Sequence, residues 1–269
     1  DNPYGASKRA GEDAVQRLAD EPGQSCTIFR LPNVFGKWCR PNYNSAVATF
    51  CHNIARGEAI RVDDPAAPLS LVYVDDVANG LIAALRAPQA GLSRGVIDPV
   101  YQTTVGEVVD LIHAFRDSRY SLTTERVGTG LVRALYSTYV SYLPTDDFSY
   151  AVPVHGDQRG VFVEMLKTAD SGQFSFFTAH PGITRGGHYH HSKTEKFLVI
   201  KGRARFGFRH ILTDEYHSLV TSGDEPRIVE TVPGWSHDIT NIGDDEMVVM
   251  LWANEIFDRD RPDTIARSV

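Results

Sequence analysis

Apolar positions fall into two rhythms along the chain, and the change between them divides it. In the first half, helical spacing alternates with short apolar runs. Asn2 is placed to cap a helix, Pro3 suits its first turn, and Ala6, Ala10, Ala14 and Leu18 follow at helical intervals. Thr27–Leu31 and Leu69–Val74 read as buried strands, with a helix over Val47–Ile54 between them. Asp75 or Asp76 is placed to cap a helix through Leu85. Thr104 and Glu107 have the spacing of a capping box for a helix reaching about Phe115, and Leu131–Leu143 forms a last amphipathic helix. Strands alternating with helices predict an α/β domain built on a parallel sheet.

From about Pro144 the rhythm shortens. Strand patterns follow closely at Gly160–Leu166, Gln173–Thr178, Lys196–Ile200, Ala204–Phe208, Ile228–Val232 and Glu246–Leu251, punctuated by Gly, Pro, Asp and Asn. Many short strands with turn signals predict an all-β sandwich or barrel. The turn-rich stretch Pro144-Thr145-Asp146-Asp147 marks the boundary, giving domains 1–143 and 144–269.

Composition narrows the function. The 269 residues suffice for two ordinary domains. A net charge of −7 without any basic run argues against nucleic acid or an anionic membrane surface as partner. No apolar run is long enough to span a bilayer, and the opening residues, which run directly into a helix, do not form a signal peptide. The three cysteines, Cys26, Cys39 and Cys51, make no C-x-x-C pair and no disulfide framework, so a cytoplasmic location is expected.

The densest chemistry lies in the β-rich half. Gly182, His188, His190, Glu195 and Gly202 read G-x5-H-x-H-x4-E-x6-G, and Pro233-Gly234-Trp235-Ser236-His237 follows downstream. Residues two apart on a strand share a face, so His188 and His190 can converge on one ion. A turn at Ser192-Lys193-Thr194 can return Glu195 to the same point, while His237 would come from a distant strand. An isolated H-x-H is an ordinary surface feature. Agreement of the glutamate, both glycines and the second cluster points instead to a divalent metal. Zinc suits these donors, and iron, manganese or nickel fit by ligand type alone. A one-residue register slip would put His191 in place of His190.

In the first half, Tyr4 and Lys8 form Y-x-x-x-K on one helix face. An ammonium near a phenol favours the phenolate, which suits tyrosine to exchange a proton with a carbonyl while a nicotinamide delivers hydride. No Gly-rich strand–turn–helix precedes Tyr4, and Gly128-Thr129-Gly130 lacks the third glycine. The chain is therefore expected to lack most of a cofactor-binding half and to hold NADP(H) poorly.

These motifs carry resemblances. The His/Glu pattern resembles the cupin superfamily, which surrounds a metal with a double-stranded β-helix. The spacing departs at Pro233-Gly234, where many cupins have an intervening residue. Asp157-Gln158-Arg159-Gly160 and Arg185-Gly186-Gly187-His188-Tyr189 resemble metal-free dTDP-4-keto-sugar 3,5-epimerases. Tyr4/Lys8, Arg30-Leu31-Pro32-Asn33-Val34-Phe35-Gly36 and Leu71-Val72-Tyr73-Val74-Asp75-Asp76 resemble, in order, the C-terminal part of Rossmann-type extended short-chain dehydrogenases/reductases. The pairing resembles the CapF/WbjC family of capsular polysaccharide and O-antigen enzymes over essentially the whole chain.

That resemblance implies a homodimeric, bifunctional enzyme. Its cupin domain would invert C3 of a UDP-linked 4-keto-6-deoxy-N-acetylhexosamine, and its reductase domain would reduce C4 with NADPH through Tyr4 and Lys8. It places substrate at Asn33, Lys37, Arg40 and Asn44. Arg159 and Arg185 are candidates for the diphosphate. Tyr189, His155, His180 and Lys196 are candidates for the C3 proton transfers. A metal cupin of another enzyme class, such as a dioxygenase, and a non-catalytic sugar-binding module are the alternatives.

Overall fold

Asn2 Oδ1 accepts the Gly5 N–H at 2.7 Å, which starts helix α1 (Pro3–Ala19) where the spacing predicts it. The computed structural model describes residues 2–269. These divide into two compact units, one of residues 2–116 and 126–148, the other of residues 117–125 and 149–269.

In the first unit, α1 is followed by β1 (Ser25–Phe29), β2 (Asn33–Phe35), α2 (Ala46–Ala55), β3 (Pro68–Tyr73), α3 (Val74–Arg86), β4 (Gly91–Gly95) and β5 (Val100–Thr104). Strands β1 and β4 pair in parallel, as do β2 and β3, but β5 runs antiparallel to β3. The parallel expectation thus fails at β5. Helix α3 begins two or three residues earlier than a cap at Asp75 or Asp76 would start it: Tyr73 occupies the cap position, and Asp75 and Asp76 sit in the first turn, where negative charge also suits the helix dipole. Helix α4 (Val105–Ser121) opens on the expected capping box, with Thr104 Oγ1 accepting Glu107 N–H at 3.2 Å and Glu107 accepting Thr104 N–H at 3.0 Å. The end of α4 and the following β6 (Thr123–Thr124) belong to the second unit, and α5 (Gly130–Ser141) completes the helices of the first. Phe35, Cys51, Ile54, Leu71, Ile112, Phe115 and Leu135 are among the residues of one buried core.

From residue 149 on, the second unit is built from strands: β7 (Val154–Asp157), β8 (Gly160–Thr168), β9 (Gly172–Ala179), β10 (Thr184–Tyr189), β11 (Glu195–Lys201), β12 (Arg203–His210), β13 (Tyr216–Ser222), β14 (Ile228–Glu230), β15 (Trp235–Asn241), β16 (Met247–Ala253) and β17 (Ile265–Ala266). One sheet has the order β13-β12-β15-β10-β17. The other runs β14-β11-β16-β9-β8-β6, with β7 added on β8. Phe177, Phe197, Val199, Phe206, Phe208, Ile239 and Val249 are drawn from both sheets into one core, the arrangement of a cupin barrel. Alternation along each strand sets what faces inward. On β11, Glu195, Phe197 and Val199 are buried, and on β15, His237, Ile239 and Asn241 are buried.

Candidate functional site

The ladder between β10 and β15 brings the first two imidazoles together. Gly186 and Gly187 take φ values of 94° and 76°, and the register shifts between Gly186 and His188 so that His188 lies opposite His237. Positive φ at both positions is what glycine permits at a bulge. A Cβ on Gly186 would lie 2.8 Å from the His237 carbonyl oxygen, so glycine also allows the two strands to approach.

Around this pair the other donors close in. His188, His190, Glu195 and His237 each offer a ligand atom, all within 4.8 Å of one another. The ring centroids of His188, His190 and His237 stand 4.7–5.1 Å apart. His190 Nε2 lies 3.2 Å from Glu195 Oε2, and its Nδ1 bonds the main-chain carbonyl of Asp263. His237 Nε2 is 3.4 Å from Glu195 Oε2 but out of hydrogen-bonding alignment, and both its ring nitrogens are buried without a hydrogen-bond partner. His191 lies outside the cluster, edge-on to Tyr189 at 5.3 Å.

The electrostatics follow from burial. His188 is pushed down to about 4, first by desolvation and then by neighbouring His237, so its ring is neutral and one ring nitrogen has its lone pair available. Burial opposes ionisation of Glu195. The closeness of His190 and His237 and the charge of Lys193 outweigh it and hold the carboxyl well below its ordinary range. Lys193 Nζ lies 3.3 Å from Glu195 Oε1, with side chains 9% and 7% exposed. Three imidazoles and an ionised carboxylate, with His237 lacking any other partner, fit a divalent cation.

The cluster opens onto two cavities within the barrel. An apolar one of about 160 Å³ is lined by Arg185, His188, Glu195, His237 and the core phenylalanines. A polar one of about 610 Å³ is lined by His155, Glu164, Lys167, Gln173, Lys193 and Arg259 as well as His188 and Glu195. A register shift between Glu164 and Leu166 puts Lys167 on the same face as Glu164, at 3.5 Å.

The other sequence candidates fall in different places. His155 reaches the polar cavity. Lys196 instead pairs with Glu230, and His180 faces Glu246 at 3.6 Å. Arg185 lies 5.2 Å over the Phe177 ring and donates to the Thr178 carbonyl at 3.0 Å. Arg159 forms an exposed pair with Asp157 at 2.5 Å, which holds the aspartate down to about 2. In the first unit, Tyr4 is exposed and Lys8 Nζ stands 5.4 Å over its ring. Asn33 and Asn44 line one small cavity of about 110 Å³. Lys37 pairs with Asp75 at 2.5 Å, and Arg40 packs over Tyr43. Lys193, Thr231, Asp263, Glu164 and Lys167 join the site without any sequence signal. Thr231 Oγ1 accepts the Glu195 N–H at 2.9 Å.

Comparison with known proteins agrees with this architecture. Residues 1–98 match the NAD dependent epimerase/dehydratase family, and residues 155–265 match the polysaccharide biosynthesis C-terminal domain. Together these define a class: an enzyme that modifies nucleotide sugars for polysaccharide biosynthesis and draws on a nicotinamide cofactor. A UDP-2-acetamido-2,6-beta-L-arabino-hexul-4-ose reductase of Pseudomonas aeruginosa is 63% identical over all 269 residues, which span 72% of that protein. The crystal structure of capsular polysaccharide assembling protein CapF from Staphylococcus aureus superposes with a TM-score of 0.94 at 44% identity, over 100% of this chain and 73% of that one. UDP-glucuronate 4-epimerase 4 of Arabidopsis thaliana is 30% identical over 96 residues, 34% of this chain and 22% of that protein. The chain belongs to the CapF family of nucleotide-sugar epimerase/reductases. No helix among the described residues is long and apolar enough to cross a membrane.

Proposed function

We propose that the barrel unit inverts C3 of a UDP-linked 4-keto-6-deoxy-N-acetylhexosamine. The α/β unit contributes the substrate-holding part of an NADPH-dependent C4 ketoreductase, with Tyr4 and Lys8 as its proton-transfer pair. The observation that carries the first claim is the His188/His190/Glu195/His237 group, half-buried at His188 and buried at the other three, opening onto a polar cavity of sugar size. The substrate class is supported by the Pseudomonas relative, whose name gives it a 4-keto N-acetylated sugar nucleotide.

A C4 ketone acidifies the proton on C3, so inversion needs a base to remove it and a proton returned on the other face. Those four side chains would hold the divalent ion, with zinc suited to the donors. When bound, the ion supplies Lewis-acidic charge for a carbonyl oxygen. The chain's own groups do the rest. His155, which lines the same cavity as His188, is placed to take the C3 proton. Lys167, beside Glu164, is placed to return one. The phenylalanines of the neighbouring apolar cavity exclude water from the barrel interior. In the α/β unit, Asn33 and Asn44 line one small cavity and would contact part of the sugar nucleotide there. The active form is a homodimer.

The test is wash-in of solvent deuterium. The keto-sugar nucleotide is supplied in D2O without NADPH, which isolates epimerisation from reduction, and C3 is followed by NMR. Deuterium should appear at C3 with this protein and far more slowly with His155→Ala. Binding of the nucleotide sugar without any deuterium at C3 would reduce the barrel to a sugar-binding module.

A further inference from the structure

We propose that Asp263 is the positioning residue of the His/Glu cluster. Its side chain fixes the 191–193 turn, and its main-chain carbonyl fixes the ring of His190. This rests on reading the cluster as a cation site.

Asp263 is remote in sequence from every member of the cluster. Its Oδ1 accepts the His191 N–H at 2.9 Å. Its Oδ2 accepts the N–H groups of Ser192 at 2.7 Å and Lys193 at 2.8 Å, and the Ser192 hydroxyl at 3.0 Å. Three consecutive main-chain donors therefore converge on one carboxylate, which matches their summed partial charge. The next main-chain donor of the turn, the Thr194 N–H, goes to Asn254 Oδ1 at 3.0 Å.

The same residue reaches two of the four cluster side chains. A carbonyl oxygen only accepts, so the bond between His190 Nδ1 and the Asp263 carbonyl requires the proton to sit on Nδ1. In a neutral imidazole this leaves the lone pair on Nε2, the nitrogen facing Glu195 at 3.2 Å. Through the turn, Asp263 also sets Lys193, whose buried ammonium contacts Glu195 at 3.3 Å. The segment that carries Asp263 is itself tied to the histidine strands. Ala266 pairs with His188 and Ile265 with Tyr189, Arg267 N–H donates to the Gly187 carbonyl at 2.9 Å, and the Ser236 hydroxyl donates to the Arg267 carbonyl. A segment that donates no ligand of its own thus sets the tautomer and placement of groups that do.

Two readouts test this without reference to turnover. The first needs no metal: in the chelated parent protein, long-range 15N–1H correlation should show His190 protonated at Nδ1, and a ring with its proton on Nε2 and Nδ1 bare would overturn the assignment. The second uses Co2+ and Zn2+ alone. Asp263→Ala should weaken Zn2+ about 10–100-fold, the range for loss of a group that orients a ligand. It should also alter the Co2+ absorption bands, which a purely stabilising role would leave unchanged. Asp263→Asn keeps the shape but turns an amide NH2 toward the main-chain donors, so its affinity should fall between the two. Ser192→Ala removes only the hydroxyl bond and should match the parent. Either Asp263 variant folding with parental Co2+ bands and Zn2+ affinity would overturn the proposal while leaving the cation site intact. Failure of the parent to bind either metal would overturn both.

Discussion

Glu195→Gln separates the two jobs assigned to that carboxylate. The substitution keeps side-chain volume and removes one buried charge. In the metal-free protein its first consequence falls on Lys193, whose ammonium is 9% exposed and 3.3 Å from Glu195 Oε1. At that distance, with an effective dielectric near 20, Coulomb attraction is about 5 kcal/mol before desolvation is subtracted. Breaking a buried pair by removing one partner costs about 3–5 kcal/mol. Glutamine still offers an acceptor oxygen to the ammonium, so a loss of about 2–4 kcal/mol is expected. The assay is urea unfolding with chelator present. A second series is run with zinc at about a thousand times its dissociation constant, where the parent should gain about 4 kcal/mol and the variant markedly less. Adding Lys193→Met to Glu195→Gln removes the stranded charge and should restore most of the metal-free stability, but none of the zinc-dependent gain. A Glu195→Gln protein as stable as its parent in chelator, with an undiminished response to zinc, would refute both roles.

Three further outcomes follow from the same geometry. Because His188 is held down to about 4 in the fold and titrates near 6.5 when unfolded, the unfolded chain binds the extra proton across that window. Stability of the metal-free protein should therefore fall as pH drops from about 6.5 to about 4, by about 2–3 kcal/mol from this residue, and His188→Gln should flatten that part of the profile. Gly186→Ala would force a side chain onto a φ of 94° and against the His237 carbonyl at 2.8 Å, so it should cost about 1–3 kcal/mol from backbone strain alone and weaken zinc binding, both read by titration. Cys51 is fully buried and its thiol is pushed up by desolvation, whereas Cys26 and Cys39 are half-buried. A thiol reagent followed by mass spectrometry should label Cys26 and Cys39 first and Cys51 only as the domain unfolds.

Much of this was legible in the sequence, for reasons that also explain what was not. His188, His190 and Glu195 are readable as a group because strand parity and one short turn link them locally, and His237 because it follows its own Pro-Gly turn. The capping box at Thr104 and Glu107 is likewise a local rule that the fold obeys. Lys193 and Asp263 carry no such signal. A lysine in a polar turn ordinarily points to solvent; here it is buried between Glu195 and the Phe257 ring, on a turn whose main-chain donors Asp263 gathers from a segment far along the chain. Lys167 escaped notice because a bulge reverses its side of β8, and bulges break the alternation on which strand reading depends. Strand β13 is not legible because Tyr216–Ser222 is an exposed edge with little apolar alternation to betray it. The antiparallel β5 depends on which neighbour a strand pairs with, which periodicity does not encode.

The central claim is that the barrel, through its His/Glu cluster, exchanges the C3 proton of a UDP-linked 4-keto sugar. The most direct measurement is the rate of deuterium wash-in at C3 on one protein preparation in three states: as isolated, after chelation, and after zinc is restored. The account predicts exchange that disappears with the metal and returns with it. Exchange that continues unchanged in the fully chelated protein would contradict it.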